Sequence, residues 1–329
     1  MQTLIDIVGH YGKRYRLTFG ADKTTVTVTG SKHDMDYYND INLWSLYGEK
    51  LRVAKDNEHL GLLVSGIDED IKNIDKNIKA ARNCLHSFLG NIFNYRCKVS
   101  PGVQYHTWCV FVKPVLRSGI RPQAVTNLRT FHHKILRAIL KLSSKSPILP
   151  LYFLLGELPF EASLHLDILS LFWNIWSNPH TKSYEVLRYL LVMADSNSLT
   201  WAAHVRILFQ IYNLPDPVTL LTSPPWPKIR WKTHTIVVIT SHHEADLRKR
   251  ALQNYKLRYL NVQTLGLTTR VHPVIGWVKT TQDVAVVRPH IRMLAGDYLC
   301  GEYLACDRGL DPQCKLCRSP SGLLSPQQI

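Results

Sequence analysis

The chain has 329 residues, 45% hydrophobic and 20% charged, which is enough apolar material for two or three domains and too much for a disordered chain. Lysine and arginine total 40 against 25 acidic residues, and the net charge of +15 favours a polyanionic partner, either nucleic acid or an anionic membrane. The seven cysteines are odd in number and scattered, which argues against a secreted disulfide framework, and the first residues lack the pattern of a signal peptide. We therefore expect an intracellular protein of the cytoplasm, the nucleus or both.

The strand patterns lie near the beginning of the chain. Apolar side chains spaced as on one helical face predict a helix over residues 3–15, and the strict alternation in TTVTVTG, residues 24–30, predicts a strand. The segment LWSLYGEKLRVAKDNEHLGLLVSG, residues 43–66, reads as a ribbon of three short strands. After this ribbon the patterns become almost wholly helical.

The clearest pattern is a long amphipathic helix over residues 68–95. Its apolar side chains recur at steps of four and three and define one face: Ile67, Ile71, Ile74, Ile78, Ala81, Leu85, Phe88, Ile92 and Tyr95. Pro101 opens a second helix over 103–116, and Pro122 opens a third that reaches Leu142.

Helical patterns continue to about Asn213. The apolar segment 148–176 is interrupted by charged residues and predicts a buried helix pair in place of a membrane span. A proline-rich connector at 214–227 precedes another helical stretch at 228–259. The last dozen residues are expected to be disordered.

The excess positive charge is concentrated in one interval. Between Asp75 and Glu157 there is no acidic residue, and these 81 residues carry thirteen basic ones. The candidate nucleic-acid-binding residues form basic stripes opposite apolar ones on two of these helices. They are Lys72, Lys76, Lys79 and Arg82 on the helix over 68–95, and Lys134, Arg137, Lys141 and Lys145 on the helix that Pro122 opens.

Helices with an apolar face inward and a basic face outward can follow a phosphate backbone. The alternative is a merely solvated face, but such a face ordinarily intersperses both signs. An anionic membrane is the other electrostatic competitor, and the interval lacks the large apolar face with Trp anchors that membrane-surface helices carry. We expect RNA and DNA as partners, with neither a membrane nor a small-molecule substrate.

The order of these segments resembles the reverse transcriptase of LINE-type (non-LTR) retrotransposons downstream of its catalytic motif. The likeness rests on a helix, then RLTFGADKTTVTVTG, the hairpin LWSLYGEKLRVA, the strand HLGLLVSG and basic helices, with CVFVKPVLRSGI and FHHKILRAILKLS similar to thumb segments. It implies the C-terminal part of the palm over 1–66, with the fourth and fifth motifs, and a basic helical thumb over 67–146. It also implies a helical C-terminal region over 147–299 and a cysteine-containing tail over 300–329. The expected fold class is therefore α+β, a small antiparallel β remnant of a palm followed by a mostly α-helical thumb and C-terminal region.

The family's catalytic aspartates are not in this sequence. They would lie just upstream of the helix at 3–15, in the pattern aromatic-Ala-Asp-Asp, and no Asp-Asp pair occurs in the chain. Two-metal phosphoryl transfer needs paired carboxylates. We therefore expect no catalytic residue and no cofactor in this chain, with Mg²⁺ bound only in the full-length family enzyme, and the chain reads as the C-terminal fragment of a larger polyprotein.

Few individual residues match the family's motifs. Lys23 stands at the Lys-Thr position of the fourth motif, where an ammonium group could neutralise triphosphate charge or protonate the leaving pyrophosphate. His59, Leu60 and Gly61 match the fifth motif, called the primer grip. The alternatives are an ordinary turn lysine and a hairpin glycine. Thr18 departs from the family, which usually has Asn there.

Two clusters raise the question of a metal. Cys314 and Cys317 have the spacing of half a zinc knuckle, and since the His and Cys of the second half are missing, we favour a severed half-site over a working one. In SHHEADLRKR, residues 241–250, neighbouring side chains point in different directions, so we favour a polar helix face.

Three interpretations remain open at this point. The chain is a reverse-transcriptase fragment without its own catalysis, or a basic helical nucleic-acid-binding or scaffold protein derived from a transposable element, or a complete enzyme of another kind. An upstream reading frame with the aspartate pair favours the first, and stable binding without that frame favours the second.

Overall fold

The computed structural model describes residues 1–28, 37, 44–54, 56–59, 62–65, 69–90, 99–117, 125–193, 200–254, 257, 259–267, 271–276 and 281–297. Within these ranges the chain is predominantly helical, with three two-stranded sheets near its beginning. The expectation of an α+β chain is thus confirmed at that coarse level.

The chain divides into two compact units. The first comprises Met1–Arg82 and Pro114–Asn127, and the second comprises Asn83–Lys113 and the described residues from Leu128 onward. The four predicted domains remain a prediction, because this division follows spatial compactness and does not address the family motifs.

The first unit begins with helix α1 (Gln2–Arg14) and a 3₁₀ turn (Ala21–Lys23). Its strands are short: β1 (Thr25–Val26), β2 (Ser45–Leu46), β3 (Glu49–Lys50), β4 (Arg52–Val53), β5 (Asp56–His59) and β6 (Leu62–Ser65). β2 and β3 form an antiparallel hairpin, β5 and β6 form another, and β1 pairs with β4 in parallel.

The expected three-strand ribbon and the purely antiparallel remnant are therefore wrong. The Tyr47–Gly48 turn closes the first hairpin with both residues at positive φ, and β4 then pairs with β1 instead of continuing the ribbon. Among the described residues, a small cluster of buried side chains surrounds these strands: Ala21, Trp44, Leu46 and Leu51.

Helix α1 packs through its glycines. Gly9 and Gly12 are buried, and a Cβ on Gly12 would lie 2.8 Å from the carbonyl oxygen of Leu17 and 2.5 Å from the hydroxyl of Tyr47. The apolar side chains whose spacing predicted the helix are exposed: Leu4, Ile7, Val8, Tyr11 and Tyr15.

Helix α2 (Glu69–Leu89) is shorter than the predicted 68–95. It ends at Gly90, which adopts a left-handed conformation (φ 60°). Its buried face carries Ile74, Ala81 and Leu85.

The rest of the predicted apolar stripe of α2 is only partly confirmed. Ile71 and Phe88 are exposed, while Asn73 is buried. The Asn73 amide explains this rotation of the face, because it accepts a hydrogen bond from Leu63 N and donates one to Leu63 O, both at 2.8 Å, and so binds the backbone of β6. Ile67, Ile92 and Tyr95 lie outside the described residues.

The remaining helices follow in sequence. They are α3 (Pro101–Thr107), α4 (Lys113–Arg117), α5 (Thr126–Ile139), α6 (Leu149–Leu155), α7 (Phe160–Trp176), α8 (Lys182–Met193), α9 (Trp201–Ile211), α10 (Pro217–Leu221), α11 (Lys228–Leu252), α12 (Pro273–Gly276) and α13 (Thr281–Leu294). The predicted helix pair at 148–176 is confirmed as α6 and α7, and the predicted connector at 214–227 contains the short helix α10. The stretch predicted as helical to residue 259 ends earlier, at Leu252.

The second unit has a large aromatic core. α7 packs against α11, and the Phe172 ring lies 5.0 Å from that of Phe209 and 6.0 Å from that of Trp231. Trp176 is also buried there. In the described part of the chain, no helix is both long enough and apolar enough to cross a membrane.

A π-helical turn, Trp108–Val112, joins α3 to α4. Pro114, two residues after the end of this turn, has no N–H to donate to a regular i→i−4 bond, which favours a wider turn here. The predicted helix at 103–116 is thus confirmed, with one irregular turn that bears on a buried cluster described below.

Candidate nucleic-acid interface

The outer face of α5 carries basic and neutral polar side chains. Its apolar residues recur at helical spacing and are buried: Leu128, Phe131, Ile135, Leu136 and Ile139. Arg129 and Lys134 therefore lie on the exposed side with Thr126 and Thr130. Arg129 also contacts Glu161 at 3.1 Å, an exposed pair of small energetic weight.

The predicted stripe on this helix needs a correction at its end. α5 ends at Ile139, so Lys141 and Lys145 lie beyond it. Lys141 N donates to Ala138 O (3.2 Å) and Leu142 N to Arg137 O (2.9 Å), the two bonds of a Schellman motif.

Lys141 occupies the left-handed position of this motif (φ 55°) and is only 7% exposed. Arg137 is half-buried and donates from Nε to Ser146 O at 2.9 Å. Lys145 is exposed. Of the four predicted residues, Lys134 and Lys145 are thus the exposed ones.

Two lysines of the predicted α2 stripe form ion pairs. Lys72 Nζ lies 2.6 Å from Asp56 Oδ1, and Lys76 Nζ lies 2.6 Å from Glu58 Oε1. Both acids belong to β5, on the hairpin that precedes the helix. Lys79 and Arg82, one and two turns further on, are exposed.

The positive charge of the interval 76–156 is therefore offset by acids in space more than its sequence suggests. The interval 76–156 contains no acid, yet carboxylates from outside it reach Lys76, Lys113 and Arg129. Among the predicted residues, Lys79, Arg82, Lys134 and Lys145 have exposed side chains.

The two palm motifs predicted from the resemblance are partly described. Lys23 ends the 3₁₀ turn, two residues before β1, with an exposed side chain. His59 is the last residue of β5 and pairs with Leu62, the first residue of β6. Leu60 and Gly61 lie outside the described residues, so the predicted primer-grip strand corresponds to a hairpin whose intervening residues are not described.

A buried polar cluster surrounds Glu157, which is 2% exposed. Gly156 ends α6 in a left-handed conformation, and Glu157 N donates to Tyr152 O at 2.8 Å. The carboxylate accepts hydrogen bonds from the Tyr105 hydroxyl and from Lys113 Nζ, the latter at 2.5 Å.

Cys109 and His132 border the same carboxylate. The Cys109 Sγ lies 4.0 Å from Glu157 Oε2, and the His132 Nε2 lies 3.5 Å from Oε1, too far for a good hydrogen bond. His132 stacks on Trp108 with ring centroids 5.5 Å apart.

The protonation states in this cluster favour a structural role. Burial and the neighbouring Glu157 raise the pKa of Tyr105, and the same causes raise the pKa of Cys109 to about 11. Burial and the Lys113 charge lower the pKa of His132. A thiol that stays protonated at neutral pH is a poor nucleophile, so the cluster neutralises a buried lysine and does not resemble a catalytic centre.

A second polar cluster, which the sequence patterns did not predict, joins α7, α9 and α11. The Tyr212 hydroxyl lies 2.7 Å from His165 Nδ1 and 2.9 Å from His243 Nε2. The His204 ring is 6.0 Å from that of His165. Burial lowers the pKa of His165 and of His243 to about 4.

The histidine cluster changes the interpretation of SHHEADLRKR. His242 is exposed, as a polar helix face requires, but His243 faces the tyrosine. The sequence did contain a signal that His243 faces the protein interior. His243, Leu247 and Ala251 are spaced four residues apart and so lie on one side of α11.

Metal-binding geometry is not found in the described part of the chain. No three His, Cys, Asp or Glu side chains there are placed to hold one ion. Cys314 and Cys317 fall outside the described residues. The residues described do not fit a two-metal site, and no Asp-Asp pair occurs in the sequence.

Comparisons with protein-family models, with curated proteins and with solved structures gave no match to this chain.

Proposed function

We propose that the chain is the nucleic-acid-binding C-terminal part of a LINE-type RNA-directed DNA polymerase, without catalytic aspartates of its own. It binds template–primer through phosphates and with little sequence preference. The observation that carries the proposal is the exposed basic face of α5, where Arg129 and Lys134 stand among hydroxyl side chains in an 81-residue interval without an acid.

The chemistry of this face suits a phosphate backbone. Ammonium and guanidinium groups neutralise phosphates, and threonine hydroxyls donate to phosphate oxygens. Lys145 adds a cation just beyond α5, while Lys79 and Arg82 form a second basic face on α2. Such contacts position a nucleic acid without reading its bases.

The second candidate function is a non-catalytic nucleic-acid-binding or scaffold protein derived from a transposable element. The absence of an Asp-Asp pair and the self-contained aromatic core of the second unit favour it. The two proposals agree on nucleic-acid binding and differ in whether a polymerase accompanies it.

The binding test replaces three exposed lysines by Gln, in the variant K79Q/K134Q/K145Q. Lys72 and Lys76 are kept, because replacing them would leave the carboxylates of Asp56 and Glu58 without their partners. In wild-type protein, log affinity for RNA or DNA should fall linearly with log salt, by about 0.7 to 0.9 per phosphate contact, and the variant should show a shallower slope.

The matched control is K182Q/R188Q/K249Q, which removes the same charge from exposed positions outside the interval. Lys182 pairs with Glu185, but this exposed i,i+3 contact has small energetic weight. Affinity should fall in the first variant by a similar factor for unrelated sequences and much less in the control. Equal losses in both variants would reduce the effect to net charge and contradict the proposal.

The absence of an aspartate pair predicts that the purified chain does not extend a primer. The assay supplies an RNA template, a DNA primer and either Mg²⁺ or Mn²⁺, and incorporation should equal that of a heat-inactivated sample. Extension above that background would revive the interpretation as a complete enzyme.

A further inference from the structure

A separate basic surface lies at the beginning of α11, outside the interval 76–156. We call it the aromatic–cation surface, and it comprises Trp173, Trp226, Lys228, Arg230 and Lys232. The two indoles are half-buried, and the three cations are exposed.

Tryptophans hold this surface on a rigid base. The proline-rich segment before α11 lies against α7, because Trp173 Nε1 donates to Trp226 O at 2.8 Å and Trp176 Nε1 donates to Ser223 O at 3.1 Å. Trp231 is buried in the core, and its Nε1 donates to Leu169 O at 3.0 Å. The position of the surface is thus fixed before any ligand binds, which lowers the entropic cost of binding.

Each indole carries a cation. Arg230 Cζ lies 4.5 Å from the centroid of the Trp226 ring, and Lys228 Nζ lies 5.6 Å from that of Trp173. Each indole plane thus lies within cation–π distance of one basic side chain.

The charge of this surface is not balanced by acids near it in sequence. From Pro217 to His243 there is no acidic residue. The flanking acids are engaged elsewhere, since Asp216 Oδ2 accepts from Thr219 N at 2.9 Å and Glu244 pairs with Arg248.

We propose that the aromatic–cation surface binds single-stranded nucleic acid. Lys228 and Lys232 contact phosphates, while unpaired bases stack on the planes offered by Trp226 and Arg230. A duplex keeps its bases stacked inside and cannot use these planes. An anionic membrane is disfavoured, because Ile229 is the exposed large apolar side chain at this end of α11, too little for insertion.

The test uses the full chain with the variants K228Q/R230Q/K232Q and W226A. The probes are a labelled oligothymidylate of about 20 nucleotides, longer than one typical single-strand site, and a duplex of the same length. Each variant should weaken oligothymidylate binding about tenfold, the loss expected for one stacked base and its neighbouring charges. W226F should retain most of the affinity, and intrinsic tryptophan fluorescence should change when wild-type protein binds.

The control K182Q/R188Q/K249Q separates this surface from net charge. The variant K79Q/K134Q/K145Q shares no residue with K228Q/R230Q/K232Q. The two variants therefore test binding at the interval 76–156 and binding at the aromatic–cation surface separately. If W226A fails to fold by circular dichroism, the charge variant decides alone, since its side chains are exposed. If K228Q/R230Q/K232Q binds oligothymidylate as tightly as the control does, the proposal is overturned. An equal loss for duplex and single strand would overturn it as well. Phosphatidylserine vesicles serve as a third probe, and a loss of binding confined to them would also overturn the proposal.

Discussion

Glu157 is the residue on which the buried cluster depends. Replacing it by Ala would leave the Lys113 ammonium buried without its partner, and removal of one member of a buried ion pair costs about 3–5 kcal/mol. We expect E157A to lower the free energy of unfolding by about that amount, measured by urea denaturation.

Two further variants make this measurement specific. E161A removes an acid from the exposed pair with Arg129 and should cost less than about 1 kcal/mol. The double variant K113M/E157L removes both charges and should recover much of the loss. If E157A and E161A cost the same, Glu157 is not the partner that holds Lys113.

Gly12 offers a second test at this scale. Alanine favours helix over glycine by about 1 kcal/mol, but at this position its Cβ would lie 2.8 Å from Leu17 O. G12A should therefore destabilise the chain by about 1–3 kcal/mol, as other overpacked sites do. G102A has no atom within 4 Å of the added Cβ and should be neutral or stabilising; thermal denaturation of both variants reports the difference.

These residue-level features were difficult to predict from sequence. Glu157 was visible as one of three acids that interrupt the apolar segment 148–176, but its partners Tyr105 and Lys113 lie 52 and 44 residues away along the chain. Helix α1 shows that an element can be predicted correctly while the face that packs is not, because its apolar side chains are exposed. Their spacing correctly predicted a helix, yet the face that packs is set by the absence of side chains at Gly9 and Gly12.

At the scale of elements, the histidine cluster makes the packing of α7, α9 and α11 depend on pH. His165 and His243 have a pKa of about 4 in the folded chain against an ordinary 6.5, because burial disfavours the charged ring. The unfolded chain therefore binds more protons between these values. The stabilisation is complete above pH 6.5 and is lost as the pH falls toward 4, with a slope of up to about 1.4 kcal/mol per pH unit for each histidine.

The variant H165N/H243Q isolates this effect. Its amides can replace the ring nitrogens that contact Tyr212 but do not titrate. His242 and Asp246 also face His243 and are left unchanged. Urea denaturation between pH 4 and 7 should give a flatter profile for this variant than for wild type, whereas H180N, at an exposed position, should match wild type. Identical profiles for all three proteins would show that the cluster does not contribute.

The sequence predicted those elements whose residue pattern lies within the element itself. The helix pair α6 and α7 was predictable from its apolar run, and the basic outer face of α5 from its spacing. The end of α2 at Gly90 was missed, because the apolar stripe continues in sequence past a glycine that adopts a left-handed conformation. The pairing of β1 with β4 was not predictable, since it joins strands of two residues separated along the chain.

At the scale of the whole molecule, the described strands of the first unit and the described helices of the second differ in the amount of core that surrounds them. The described sheets have strands of two to four residues around a few buried side chains, whereas α7, α9 and α11 surround a large aromatic core. We expect hydrogen exchange at β1 and β4 to be much faster than at α7 and α11, because local opening exposes little apolar surface there. Equal protection of these segments would contradict this expectation.

The π-helical turn at Trp108–Val112 sets the tolerance of this region to insertions and deletions. In a regular α-helix each residue advances by about 100°, so Tyr105 and Lys113, eight positions apart, would point about 80° away from each other. The wider turn removes much of that divergence and lets both side chains reach Glu157. Deleting one residue from 109–111 would leave the two donors seven positions apart, which on a regular α-helix is a divergence of only about 20°. Inserting one residue would instead advance Lys113 by about a further 100° and separate the donors, so this short segment tolerates a deletion better than an insertion.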